Sequence, residues 1–260
     1  MSFPWIRTIA TTAVLAAATT ACGPAKEPVS QPSSTPLTTT KADVTTPTPT
    51  PTPTGLAGLD AKALFAKSKA AILAADSVRL RGSFVDEGEK TAIDVHMTKT
   101  GGQGTFTVDG SPIGITVIGK TAYLQLSEKY LRAQGKAEKD KPAEINATVA
   151  ILKGRWIKLT KKDSDFQDMI DLVTRDTFVA GTFQPSGALT KKPQKTVDGV
   201  PSIGLNDGEG TLWVDSTTAR PVRMELGTDG ESFGFSDYNK IKAPTAPSKD
   251  SVIDGKQMGL

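Results

Sequence analysis

From Ser77 onward the apolar residues of this chain fall at every second position, and that period limits what the chain can fold into. Val78, Leu80, Gly82 and Phe84 alternate with Arg79, Arg81, Ser83 and Val85, and Ile93, Val95 and Met97 alternate with Asp94, His96 and Thr98. Phe106 and Val108 continue the pattern, followed by Ile113, Ile115 and Val117, then by Ala122, Leu124 and Leu126. Successive side chains of a strand point to opposite faces, so this period builds a sheet with one apolar and one wet face. Each run is short and bounded by turn-forming residues such as Asp86-Glu87-Gly88-Glu89 and Gly101-Gly102, which predicts an antiparallel meander. A second set of strands is predicted at 190–197, 201–205, 210–215, 221–226 and 232–235.

Helical periods flank and interrupt the strands. Asp60 can cap a helix whose apolar positions are Leu64, Phe65, Ala71, Ile72 and Ala75. Residues 142–153 place Ile145, Val149 and Leu152 on one side, and Gly154-Arg155-Trp156-Ile157-Lys158-Leu159 then reads as a strand. Ser164-Asp165-Phe166-Gln167 is a capping-box pattern opening a helix that carries Phe166, Ile170 and Val173. The expected class is α+β, with helices packed on one face of a large, curved antiparallel sheet of about ten strands. An immunoglobulin-like sandwich fits less well, because helices interrupt the strands and the cysteine pair is absent.

The N-terminal part has a different character. Arg7 and the apolar stretch 9–18 read as an export signal, too short and too interrupted by threonine to span a bilayer of about 30 Å. Small residues lead through Thr19, Thr20 and Ala21 to Cys22-Gly23, and Cys22 is the only cysteine. This resembles the lipobox of bacterial lipoproteins, with Thr19 where leucine is usual. The resemblance implies diacylation of Cys22 and an anchor in the cell membrane on its extracytoplasmic face. With one cysteine no internal disulfide can form, so an exported domain must be held by its core alone. From Gly23 to about Gly58 the chain is dominated by Pro, Thr and Ser, ending in the Thr-Pro alternation of 46–54. Such a segment cannot bury enough apolar surface to offset its ordering entropy. It is expected to be a disordered, polyproline-like tether reaching on the order of 100 Å. The expected organisation is a signal peptide at 1–21, the lipidated cysteine and tether at 22–58, and one domain at 59–260.

Motifs for chemistry are sparse. Gly114 to Thr121 matches the P-loop spacing, but β-branched residues fill it and the period-two pattern continues through it, so Gly119-Lys120 reads as a hairpin turn. His96 is the only histidine and lies on the polar side of its strand, and no nucleophile elbow is present. One Cys and one His cannot build a Cys/His zinc site. Asp163, Asp165, Asp168 and Asp171 read as a solvated helix start, and Asn206-Asp207-Gly208-Glu209-Gly210 as a hairpin turn. The net charge of +3 is scattered over short lysine clusters without a basic stripe, which argues against nucleic acid as a partner. No catalytic residue, metal site or cofactor is expected.

Several segments together resemble actinobacterial lipoproteins of the LppX/LprA/LprF/LprG type. These are the lipobox-like start, the Pro/Thr linker, Ala74-Ala75-Asp76-Ser77-Val78-Arg79-Leu80, residues 154–159, Gly210-Thr211-Leu212-Trp213-Val214-Asp215 with Arg220-Pro221-Val222-Arg223, and Phe235-Ser236-Asp237-Tyr238-Asn239-Lys240. The resemblance implies a LolA-like half-barrel whose concave face is covered by helices. It further implies an acylated lipid or glycolipid held between sheet and helices, with no enzymatic activity and a transport partner in the envelope that no motif identifies. Candidates for the cavity lining are Val78, Leu80, Phe84, Ile93, Val95, Met97, Phe106, Val108, Ile113, Ile115, Val117, Leu124, Leu126, Val222 and Met224. The alternative is a surface interaction or sensor lipoprotein that uses the same scaffold without cargo.

Overall fold

A computed structural model of the chain describes residues 55–86, 88–160, 166–227 and 230–258. Cys22, the expected leader and most of the expected tether lie outside these residues, as do Asp163, Ser164 and Asp165. The carboxylate of Asp60 accepts a hydrogen bond from the Ala63 amide at 2.7 Å and opens α1 (Ala61–Ala74), which buries Leu64, Phe65, Ser68 and Ile72. Ahead of it, Gly55–Gly58 forms a short 3-10 turn whose Leu56 and Ala57 pack on the core. Lys191 binds the carbonyls of Ala57 and Leu59, so the ordered packing starts slightly before the expected boundary.

The first meander comprises β1 (Ser77–Asp86), β2 (Glu89–Thr98), β3 (Gly101–Val108), β4 (Ser111–Ile118) and β5 (Thr121–Leu126). Asp109 and Gly110 both have positive φ (45° and 72°), the geometry of the tight hairpin turn that follows the twist of its strands. Gly119 and Lys120 likewise form a turn rather than a phosphate loop. The second meander is β7 (Thr190–Val197), β8 (Val200–Asn206), β9 (Gly210–Asp215), β10 (Pro221–Leu226) and β11 (Glu231–Ser236). Between the meanders lie α2 (Glu128–Ala137), α3 (Pro142–Leu152), β6 (Trp156–Thr160), α4 (Gln167–Val173) and α5 (Arg175–Thr182). A last short strand, β12 (Val252–Asp254), follows a long crossing.

All the described strands form one open, curved twelve-stranded sheet in the order β12-β6-β5-β4-β3-β2-β1-β11-β10-β9-β8-β7. Pairing is antiparallel except between β12 and β6, which run parallel. The two meanders join where β1 pairs with β11. The α+β reading of the sequence holds, and three elements go beyond it. Helix α2 carries only Tyr130 and Leu131 as large apolar residues, too few to mark it in the sequence. It is set instead by Ser127, whose hydroxyl accepts from the Tyr130 amide. The helix expected after 164 is two: Thr174 is extended (φ −100°, ψ 105°), and its hydroxyl donates to the Ile170 carbonyl between α4 and α5. β12 is three residues long, too short to show a period.

One apolar cluster fills the space between the sheet and the helices. Phe65 of α1, Phe178 and Phe183 of the α5 region, and Phe235 of β11 form a chain of ring contacts with centroids 6.1–6.2 Å apart. Arg175, nearly buried, donates to the Ala75 carbonyl and ties the start of α5 to the end of α1. At β3 the helical layer comes very close: a Cβ on Gly102 would collide with the carbonyl oxygens of Val173 and His96. On the opposite, outer face, Arg79 holds Asp94 through two hydrogen bonds of 2.7 and 2.6 Å, with Asp237 at 3.7 Å.

Two outcomes follow. Gly102→Ala is expected to lower stability by about 2 kcal/mol, because the added methyl must push α4 off β3. Gly234→Ala, whose new Cβ meets nothing closer than 3.8 Å, should stay within about 0.5 kcal/mol in the same denaturant titration. The hydrogen bonds from Arg79 hold the Asp94 carboxyl below its usual range, against the opposing effect of burial. The pair therefore stabilises the fold above the ordinary carboxylate range near about pH 4, and that contribution is lost as the pH falls through the depressed value. Asp94→Asn should cost about 0.5–1 kcal/mol at neutral pH, since solvent screens a pair this exposed. The difference from the wild type should vanish in acid, as read from thermal melts across pH.

Candidate functional site

Strand alternation delivers the expected lining residues to one layer. Val78, Leu80, Phe84, Ile93, Val95, Met97, Phe106, Ile113, Ile115, Val117, Leu124, Leu126 and Met224 all belong to the cluster between sheet and helices, each at most 8% exposed. Val108 packs at its margin, partly buried. Val222 does not join them. A bulge between Pro221 and Arg223 shifts the register of β10 against β9, and Val222 packs with Val197, Val200 and Trp213 on the outer face. The alternation that pairs Val222 with Met224 in the sequence fails at this one inserted residue.

The layer also holds residues that strand periodicity does not reveal. Phe178 and Phe183 come from a helix with no predicted start, and Leu172 and Val173 from the end of α4. Ser68 of α1 is fully buried among them, and its hydroxyl has no hydrogen-bond partner. A buried hydroxyl in that state costs about 1–3 kcal/mol.

Between α4 and α5 lies a crevice of about 80 Å³. Leu172 and Phe178 line it together with Thr177, Gly181 and Thr182, and Asp168 and Asp171 complete its lining. Burial, and then the neighbouring Asp171, push the Asp168 carboxyl above its ordinary range. Neither α4 nor α5 has a side-chain cap on its first turn, unlike α1 and α2. A Cβ added to Gly181 would meet nothing within 4 Å.

The larger openings lie on the outer face. A groove of about 1040 Å³ runs over β1, β2, β10 and β11, with Ser83, Ala92, Ser232 and Gly234 among its lining. Arg223 is held by Asp198 beside it, and Lys195 stands 4.0 Å from the Trp213 ring. His96 lies on this outer face, as the alternation predicts. The Asp207 carboxylate accepts from the amides of Ser186, Glu209 and Gly210, which makes the 206–210 segment a self-bonded hairpin turn. Among the described residues no group of three or more His, Cys, Asp or Glu is placed to hold a metal ion, and no helix is long and apolar enough to cross a membrane.

No protein-family profile matches the chain, and no curated protein matches it in sequence. Among solved structures it is similar to LprF from Mycobacterium bovis, at 15% identity over 71% of this chain and 96% of that one, with a TM-score of 0.44. It is similar also to the Mycobacterium tuberculosis lipoprotein LppX, at 15% identity over 70% and 97% of the two chains and a TM-score of 0.42. A conserved protein from Thermus thermophilus follows at 11% identity, 75% and 98% coverage and a TM-score of 0.37. LprF and LppX are two of the lipoproteins that the sequence motifs resemble.

Proposed function

We propose that the protein is an extracytoplasmic lipoprotein, anchored through diacylated Cys22, that carries an acylated lipid or glycolipid between the sheet and α1, α4 and α5. The observation that carries this reading is the crevice between α4 and α5, lined by Phe178, whose ring touches that of Phe183. The helices beside it carry no side-chain cap on their first turns among the described residues. An acyl chain entering there displaces the two phenylalanines from the apolar sheet.

Magnitudes allow the exchange. Burying about fifteen methylenes contributes roughly 12 kcal/mol at about 0.8 kcal/mol each. Unseating two buried phenylalanines costs roughly 6–10 kcal/mol, by comparison with their truncation. The ester carbonyl of a lipid would also give the Ser68 hydroxyl the acceptor that it lacks. Desolvation supplies the affinity, and the length of the layer would set which chains fit.

A second reading has its own observation. The layer is closed by side chains while the large groove lies on the outer face, which is what a surface interaction or sensor lipoprotein without cargo would present.

Native mass spectrometry of the full chain extracted from bacterial membranes separates the two. The carrier is expected to retain non-covalent acyl lipid in addition to the anchor, and recovery of ligand-free protein alone would establish the second reading. Gly181→Phe adds a ring at the crevice from a position whose Cβ meets nothing within 4 Å, and it should abolish lipid retention. Ser68→Ala should stabilise the ligand-free protein by about 1 kcal/mol while weakening retention, because it removes an unsatisfied hydroxyl that only the ligand bonds. Cys22→Ala should move the protein from the membrane to the soluble fraction, and persistence at the membrane would refute the anchor.

A further inference from the structure

We infer that the outer face of the sheet carries a second binding site, for a neutral oligosaccharide, lined in part by the segment that crosses from β11 to β12. After Ser236 the chain must pass β1 to β6 to reach the far edge of the sheet. Its first anchor is at the start of β1, where the Asn239 amide donates to the Ser77 carbonyl, the Asn239 side chain accepts from the Asp76 amide, and the Ile241 amide donates to the Ser77 hydroxyl at 3.0 Å. The other anchor is the parallel pairing of Val252–Asp254 with β6. Between them, among the described residues, no backbone amide of 242–247 donates a hydrogen bond, and two of the six positions are prolines, which have no N–H to give. The crossing is a strap fixed at both ends and free in the middle.

Against the strap lies an open depression of about 580 Å³, in the range that holds small ligands, about 300–1,000 Å³. Thr245, Ala246 and Pro247 line it from the strap. Its floor is two cross-strand rows: His96, Gln103 and Thr116 stand opposite one another on β2, β3 and β4, and Asp94 and Thr105 lie in the next row. Trp156 walls one side, its ring lying 3.5 Å from where a Cβ on Gly114 would stand. The side chains of His96, Gln103, Thr105, Thr116 and Trp156 have no hydrogen-bond partner among the described residues.

That combination selects the ligand. The unpartnered groups include donors and acceptors side by side, as an amide, hydroxyls and an imidazole provide. The cavity's one guanidinium, Arg79, is already bonded to Asp94 and neighboured by Asp237, so the site has no net demand for an anion. An indole face beside unpartnered hydrogen-bonding groups suits a sugar ring, which presents hydroxyls at its edge and C–H groups on its face. A peptide strand is disfavoured, since these central strands already pair on both sides and offer no free edge. Asp94 and Thr105 also line the larger groove, so a longer chain would continue over Ser83, Ala92 and Ser232.

The test is a titration of the full chain with short neutral homo-oligosaccharides of hexoses, pentoses and N-acetylhexosamines, followed by calorimetry and tryptophan fluorescence, with a neutral extended peptide alongside. At least one sugar series should bind and shift the tryptophan emission. Gln103→Ala and Trp156→Ala should each weaken it about tenfold, the loss of roughly one good contact. Gln103→Ala removes a solvent-facing side chain and should melt like the wild type, so it keeps the test sound if Trp156→Ala loosens β6. Gly181→Phe should leave sugar binding unchanged, which separates this site from the lipid layer. Failure of every oligosaccharide to bind, binding that neither substitution weakens, or binding of the peptide alone would each overturn the inference.

Discussion

Leu80 stands between Val95 on one side and Phe235 on the other, and this register of β1 against both meanders is what the rest of the structure depends on. A slip of one residue would turn Arg79 and Arg81 into the apolar layer and Val78 and Leu80 out to solvent. The cost of burying two guanidiniums beside Phe178 and Phe183 would far exceed anything the hairpin turns could offset. Once β1 is fixed, its partners inherit the same division of faces strand by strand. The apolar side then becomes one surface across both meanders, wider than either could build alone. The helices exist in this chain to cover it.

How they cover it explains the uneven grip of the helical layer. α1 is capped by Asp60 and carries four buried positions along its face. α4 and α5 are short, uncapped by side chains, and separated by an extended Thr174. Their hold on the sheet comes from ring contacts and from Arg175 reaching the Ala75 carbonyl, rather than from their own hydrogen-bonded ends. The position of Gly102 under Val173 shows how closely α4 is seated in the closed state.

Much of this was legible in the sequence, for a physical reason. A period of two leaves little freedom once turn residues bracket it, so the ten meander strands could be read directly, and so could the inward residues of the first five; in the second five only Val222 and Met224 received a face, and Met224 alone faces the layer. Reading failed where the signal is local and non-periodic. The bulge at Pro221–Arg223 adds one residue and sends Val222 to the outer face. α2 is specified by a serine cap rather than by an apolar stripe, and the break at Thr174 by a threonine hydroxyl rather than by proline or glycine. The strap left no pattern, because its middle neither pairs nor packs with a period. Trp156 was visible as part of a strand, but its place under that strap depends on where the far end of the chain returns.

The same alternation bears on how the two faces can act together. Along β2, Ile93, Val95 and Met97 point into the apolar layer while Asp94 and His96 face the strap, so the two proposed sites share the backbone of that strand. That backbone is hydrogen-bonded on both sides through the centre of the sheet. Displacing α5 on one face exchanges contacts of Phe178 and Phe183, and neither residue belongs to the pocket on the other face. The strap, in turn, is fixed to Ser77 and to β6, not to any helix. Occupancy on one face therefore has no direct route to the other except through a change in sheet curvature, and the paired central strands resist that.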